Sequence, residues 1–89
     1  MAGTNVVENL PTIDIGQSVT TLQYLFANWT NLKSVSLSGG GAIGDMNYMF
    51  SGDSALESVN LSSINLSAAG CSFIQCFLEC NHLRQFVRP

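Results

Sequence analysis

Near the end of the chain, Cys71, Cys76, Cys80 and His82 read C-x4-C-x3-C-x-H. Three thiols and an imidazole form a zinc-ligand set by chemistry, because thiolate sulfur and neutral imidazole nitrogen both suit that ion. Structural zinc sites usually pair their ligands about two to four residues apart in compact knuckles. Here two of the cysteines fall where a longer pattern puts ordinary residues: Cys76 matches Met49, and Cys80 matches Asp53. They read as small buried thiols of a core, with a small metal-binding protein as a competing possibility. A disulfide would leave one of the 3 cysteines over. The first residues, MAGTNVVENL, lack the basic region and apolar core of a secretory leader, which favours reduced thiols. No metal ligand is assigned.

The run Gly39-Gly40-Gly41-Ala42-Ile43-Gly44 satisfies G-x-G-x-x-G. A dinucleotide site needs a long helix after that run and an acidic residue about 20 positions on. Only a short apolar turn follows, and Glu57 comes too soon, so the run reads as a glycine-rich corner. His82 has no serine or acid partner in view, and Asp14, Asp45, Asp53, Glu57 and Glu79 are scattered without acid–base spacing. No catalytic or cofactor-binding residue is assigned, and the chain reads as a non-enzyme. The sequons beginning at Asn28, Asn60 and Asn65 are what Ser- and Asn-rich sequence gives by chance. A net charge of −3, with Lys33, Arg84 and Arg88 as the cations, offers no basic patch for a phosphate backbone. No nucleic-acid partner is expected. No apolar run approaches the ~18–20 residues of a membrane span, so no membrane insertion is expected either.

Binding is the chemistry left. On outward strand positions the sequence predicts two columns: Thr12, Ser34, Ser58, Gln85, and beside them Asp14, Ser36, Asn60, Val87. Small hydroxyls and amides on an uncharged face suit a protein or a carbohydrate. Tyr24 and Tyr48 share one position on the turns, with Trp29 on the loop after the first, and exposed aromatics are enriched at interfaces. The candidate interaction surface is therefore Tyr24, Trp29, Tyr48, Ser34, Ser36, Ser58, Asn60 and Gln85.

The elements that must hold these residues follow from one stretch, Met46 to Ser62, reading MNYMFSGDSALESVNLS. Met46, Met49 and Phe50 fall at i, i+3, i+4, the spacing of one helical face, while Leu56, Val59 and Leu61 alternate toward the end as a strand does. Neither half can bury its apolar face alone. The same pattern lies on either side: Leu22, Leu25, Phe26 sit 24 residues earlier, and Phe73, Cys76, Phe77 sit 27 later. The strand positions follow as Leu32, Val35, Leu37, then Leu56, Val59, Leu61, then Leu83, Phe86, with Leu10, Ile13, Ile15 placed 22 residues before the first of these sets. Ser38 to Gly41 and Ser62 to Gly70 read as the turn-forming links, the second longer than the first. Pro11, in the first strand, is tolerated only at an edge. Arg88 stands where Leu61 stood one coil earlier and stops the apolar ladder.

Periods of 22 to 27 fall among those of leucine-rich repeats, about 20–29 residues. The fold class predicted is an α/β repeat: a short leucine-rich-repeat solenoid with a parallel four-strand sheet on one face and short helical turns on the other. A single domain would span 1–89, with coils at about 10–31, 32–55 and 56–82 and a terminal strand at 83–88. The residues M-N-Y-M-F-S-G-x-x-x-L-x-S-V-x-L-S at Met46 to Ser62 resemble the repeat of BspA-like leucine-rich-repeat proteins, mostly bacterial and protist surface proteins. The resemblance covers about Leu10 to Val87 and is strongest in the central coil. The family often carries Cys where this chain has Asp53, and Cys80 holds the matching place one coil later. What the resemblance implies is a non-catalytic domain for adhesion or protein binding, located outside the cell or on its surface.

Two uses fit this reading. The first is an adhesion or interaction module that takes a protein or glycan on its repeat surface. The second is a structural subunit of a larger assembly, such as a virion decoration or capsid-associated protein. Charged residues make up only 10% of the chain, against about 25% ordinarily. With apolar ends to be covered by neighbours, a homo-oligomer or larger assembly is expected.

Overall fold

A computed structural model describes residues 7–89; the part of the leader reading that falls on residues 1–6 lies outside the described residues. Four strands, β1 (Ile13–Asp14), β2 (Ser34–Ile43), β3 (Ser58–Leu66) and β4 (Gln85–Val87), form one parallel sheet in chain order. Parallel neighbours need long crossovers, which are usually helical. Here the crossovers contain no helix among the described residues.

The expected helical turns are instead chains of overlapping four-residue turns. In the first segment Leu25, Ala27, Trp29 and Leu32 donate their N–H groups to the carbonyls of Leu22, Tyr24, Phe26 and Trp29, at 3.1–3.2 Å. The same four bonds recur from Met46 to Leu56 and from Phe73 to Leu83. Left-handed φ angles at Tyr24, Asn28, Tyr48, Gly52, Gln75 and Glu79 prevent a helix, because a right-handed α-helix cannot run through them. A single helical turn is also an unfavourable nucleus. The left-handed residues turn N–H groups outward to the neighbouring segment. Leu22, Tyr24, Phe26 and Asn28 donate to the carbonyls of Asp45, Asn47, Met49 and Ser51. Met46, Tyr48, Phe50 and Gly52 donate in turn to Ser72, Ile74, Cys76 and Leu78. The i, i+3, i+4 spacing still marks the inward face: Met46, Met49 and Phe50 are all sealed from solvent.

Register agrees with the sequence on one side of β2 and departs from it on the other. Ser34, Val35 and Ser36 pair with Ser58, Val59 and Asn60, which pair with Gln85, Phe86 and Val87. Ile13, however, pairs with Leu37 and Asp14 with Ser38, so β1 lies 24 residues from β2 and not 22. Ile13 therefore stands outside the line of Val35, Val59 and Phe86, and Thr12 and Asp14 leave the columns assigned to them. The misplacement came from setting Leu10 against Leu32. Leu32 is held in a turn by its bond to the Trp29 carbonyl, whereas the Leu10 N–H reaches the Ser34 carbonyl. Between the Asn9–Ser34 bridge and the Ile13–Leu37 pair lies Pro11, which has no N–H to offer a ladder.

The two glycine- and serine-rich links also differ from expectation. Ser38 to Gly41 lies wholly in β2, which runs on to Ile43, and Ser62 to Leu66 lies in β3, while Ser67 to Gly70 forms the expected turn; the pairing is irregular between Ser36 and Ser38 and between Gly39 and Ile43. Gly40 and Gly41 donate to the carbonyls of Gly16 and Val19, and a Cβ on Gly41 would run into the Gln17 carbonyl. Glycine is present because another backbone lies there.

Sheet and turn segments close on one core that includes Leu32, Leu37, Ile43, Met46, Met49, Phe50, Leu56 and Leu61, each at most 1% exposed. Phe26, Phe50 and Phe77 stack through it, with ring centroids 5.7 and 5.4 Å apart.

Candidate interaction surfaces

The register brings the sheet-face candidates together. Ser34, Ser36, Ser58, Asn60 and Gln85 line a shallow trough of about 250 Å³, joined by Leu10 and Val87. No charged side chain lines it. Ser34 Oγ donates to Asn9 Oδ1 at 2.6 Å, and Asn60 Oδ1 accepts from the Ser62 N–H and Oγ. Ser36, Ser58 and Gln85 make no side-chain hydrogen bond among the described residues. Their groups face water and can exchange it for hydroxyls or amides of a partner.

The aromatic candidates separate. Tyr24 and Tyr48 stack with centroids 4.9 Å apart and planes 8° from parallel, and Tyr24 is half exposed. They form a small aromatic face on the turn side, away from the trough. Trp29 is not on the surface. It is 5% exposed and packs edge-on to Phe26 at 5.0 Å. The shift that aligns the rest of the chain places Trp29 with Asp53 and Cys80, and that position points inward. The same alignment applied to Trp29 would have found this from sequence.

Asp53 is the residue that sequence reading passed over. It is sealed from solvent; one oxygen accepts the Trp29 N–H at 2.8 Å, and the other has no partner, nor has Trp29 Nε1. Desolvation raises its pKa from 3.8 to about 7, partly opposed by the Trp29 N–H. A carboxyl so placed is neutral over much of the acid range.

The cysteines are all free. Burial pushes Cys76 up to about 12 and Cys80 up to about 11, and raises Cys71 as well. Thiols held protonated in this way are poor ligands and nucleophiles. Cys80 Sγ donates to the Phe50 carbonyl at 3.2 Å, and His82 Nδ1 lies 2.8 Å from the Ser54 carbonyl on the outside. Among the described residues, no group of three or more His, Cys, Asp or Glu side chains is placed to hold a metal. The Gly39–Gly44 run lies within and just after β2, with no helix after it to cradle a phosphate. No helix of the described residues is long and apolar enough to cross a membrane.

A second surface was not anticipated as one site. At the β4 end, Phe73, Leu78, Phe86 and Leu66 border a hollow of about 490 Å³, and each is 36–41% exposed. At the β1 end, Leu10, Ile13, Ile15, Leu25 and Trp29 border a smaller apolar hollow of about 210 Å³. Comparison with protein families, with curated proteins and with solved structures returns no match.

Proposed function

We propose that the chain is a short leucine-rich-repeat solenoid of the BspA-like kind, without enzymatic activity, that takes a protein or a glycan on the outer face of its sheet. The solenoid reading is supported by the turn bonds that recur in three segments and by the 24-residue offset common to β1–β2 and to the Ser34–Ser36 part of β2–β3. In such an arrangement each coil covers its neighbour's apolar face. The observation that carries the binding reading is the uncharged trough of Ser34, Ser36, Ser58, Asn60 and Gln85. Its donors and acceptors sit on paired strands, so little freedom is lost when they meet a partner. The test is a nuclear magnetic resonance titration of the labelled chain against a panel of neutral oligosaccharides and extended peptides. Shifts gathered on those five residues are expected with at least one class; shifts confined to other faces would count against the trough.

A second reading is favoured by a separate observation. Of the large apolar side chains left exposed among the described residues, Leu66, Phe73, Ile74, Leu78, Phe86 and Val87 all belong to the last part of the chain, and only Tyr24 does not. Under that reading the chain is a structural subunit of a larger assembly, a virion component or other polymer, in which a neighbour covers this end.

A further inference from the structure

The two ends of the stack are complementary, and this follows from the direction of its hydrogen bonds. From Leu22 and from Met46 onward, every backbone bond between turn segments runs the same way, from an N–H of the earlier segment to a carbonyl of the later one; the reverse bonds, from Gly44 to the Thr20 carbonyl and from Ser72 to the Gly44 carbonyl, lie just before the turns, and the Ile74 N–H goes to the Asn47 side chain. The third segment is therefore left with a row of donors that find no acceptor. By position these are the N–H groups of Phe73, Gln75, Phe77 and Glu79, and none meets a backbone partner among the described residues. The first segment is left with the matching row of acceptors, the carbonyls of Thr21, Gln23, Leu25 and Ala27, which likewise accept from no backbone N–H among the described residues. The spacing of each row is that of the rows already joined inside the molecule.

Apolar surface and charge follow the same division. The donor end presents Phe73, Leu78 and Phe86 around its hollow; the acceptor end presents Leu25, Ile13 and Ile15 around its own. Arg84 and Arg88 flank β4 at one end. Asp14 lies in β1 and Glu8 just before it at the other, Glu8 in an exposed pair with Lys33 at 3.1 Å. The sheet side of the donor end thus carries arginines and that of the acceptor end carries acids, although Glu79 in the donor row is an acid on the turn side.

We propose that the donor end of one copy docks on the acceptor end of a second copy, so that the turn ladder and the apolar stack continue across the boundary. The contact rests on the structural-subunit reading and supplies its partner. It is centred on the turn side. There the left-handed residues have already aimed the N–H groups outward, at Gln75 and Glu79 as at Tyr48 and Gly52. The sheet edge contributes less: the Leu10 N–H points to β2, so by alternation Pro11 faces the outer edge and offers no donor there. Such a contact is heterologous, one surface on one copy and a different surface on the next, and it generates a chain of copies or a ring, not a symmetric pair.

The test uses the 89-residue chain and two variants, Leu25→Arg at the acceptor end and Leu78→Arg at the donor end. Sedimentation velocity of the unmodified chain should show mass rising with concentration through species beyond a dimer, and falling as salt is added. Each variant alone should remain monomeric. Mixed in equal amounts they should form a one-to-one dimer, because each still carries the end that the other lacks, and the two altered ends repel. Should either variant lose the circular dichroism of the parent, Gln23→Arg or Gln75→Arg, at exposed positions of the same rows, takes its place. Failure of the mixture to dimerise overturns the proposal. A closed symmetric dimer of the unmodified chain overturns the end-to-end contact and leaves the subunit reading standing. A monomer at every concentration removes both.

Discussion

Leu56 and Leu83 hold matching places in neighbouring segments, and so do Val59 and Phe86, yet their surroundings differ. Leu56 is sealed and Val59 is 1% exposed, whereas Leu83 is half-buried and Phe86 is 36% exposed. The backbone is alike in the two places: Leu56 closes a turn on Asp53, and Leu83 closes one on Cys80. What differs is the neighbour. The central segment has one on each side and the last has one only, so the same residue pattern makes a core in one place and an open surface in the other. Burial here comes from how many neighbouring segments cover a residue more than from side-chain type.

The largest expected effect breaks this comparison directly. Leu56→Ala should cost about 2–5 kcal/mol in denaturant unfolding, as truncation of a sealed leucine does. Leu83→Ala should cost about 1–2 kcal/mol, because part of its area is already in water. Equal losses would mean that the last segment is as well covered as the central one.

Asp53 and Cys80 share a position too, and here chemistry separates them more than burial does. An aspartate in the unfolded chain gives up its proton near 3.8, while folded Asp53 keeps its proton until about pH 7. Between those values the unfolded state is charged and the folded state neutral, so folding takes up a proton and loses stability as pH rises. The loss is roughly 1.4 kcal/mol for each pH unit. The Asp53 contribution is thus greatest below about pH 3.8, declines to about pH 7, and is level above that. Urea midpoints measured from pH 4 to pH 8 should fall along that course, and Asp53→Asn should flatten the curve. A flat curve in the parent chain would show that the buried carboxyl has found a partner or water.

How far sequence reached can be judged from the same residues. The inward face was legible because the spacing of Met46, Met49 and Phe50 marks one side of the chain whether the backbone is helical or turned. The backbone itself was not legible. Nothing in Tyr24, Tyr48 or Gln75 announces a left-handed φ, since only Gly52 and Asn28 in these rows are residue types that favour it. Register between β2, β3 and β4 could be read from matching apolar positions. That of β1 could not, because residue type matches Leu10 to Leu32, and it is the Leu10 N–H bond to the Ser34 carbonyl that rules this match out. The glycine run read as a corner because its reason for being glycine, the backbone of Gly16 to Val19, is remote in the chain. Of the proposed surface, the serine columns were legible from alternation, and Trp29 was misplaced because it was read as loop and not aligned. The two open ends were invisible as a pair, since their complementarity lies in the direction of backbone bonds.

The smallest expected effect concerns the outer face of the same central segment. Ser58 stands one residue from sealed Val59 and pairs with Ser34 and Gln85, but its hydroxyl makes no bond within the described residues. Ser58→Ala removes an oxygen that makes no bond within the described residues, so unfolding free energy should change by less than about 0.5 kcal/mol. A ligand in the trough would be sensitive to the same oxygen: replacing water at Ser58 with a partner's hydroxyl gives a hydrogen bond worth about 0.5–1.5 kcal/mol, or roughly a twofold to tenfold change in affinity. Stability untouched and affinity reduced would place Ser58 on a working surface. A loss of stability comparable with that of Leu56→Ala would turn the sheet inside out and exchange its two faces.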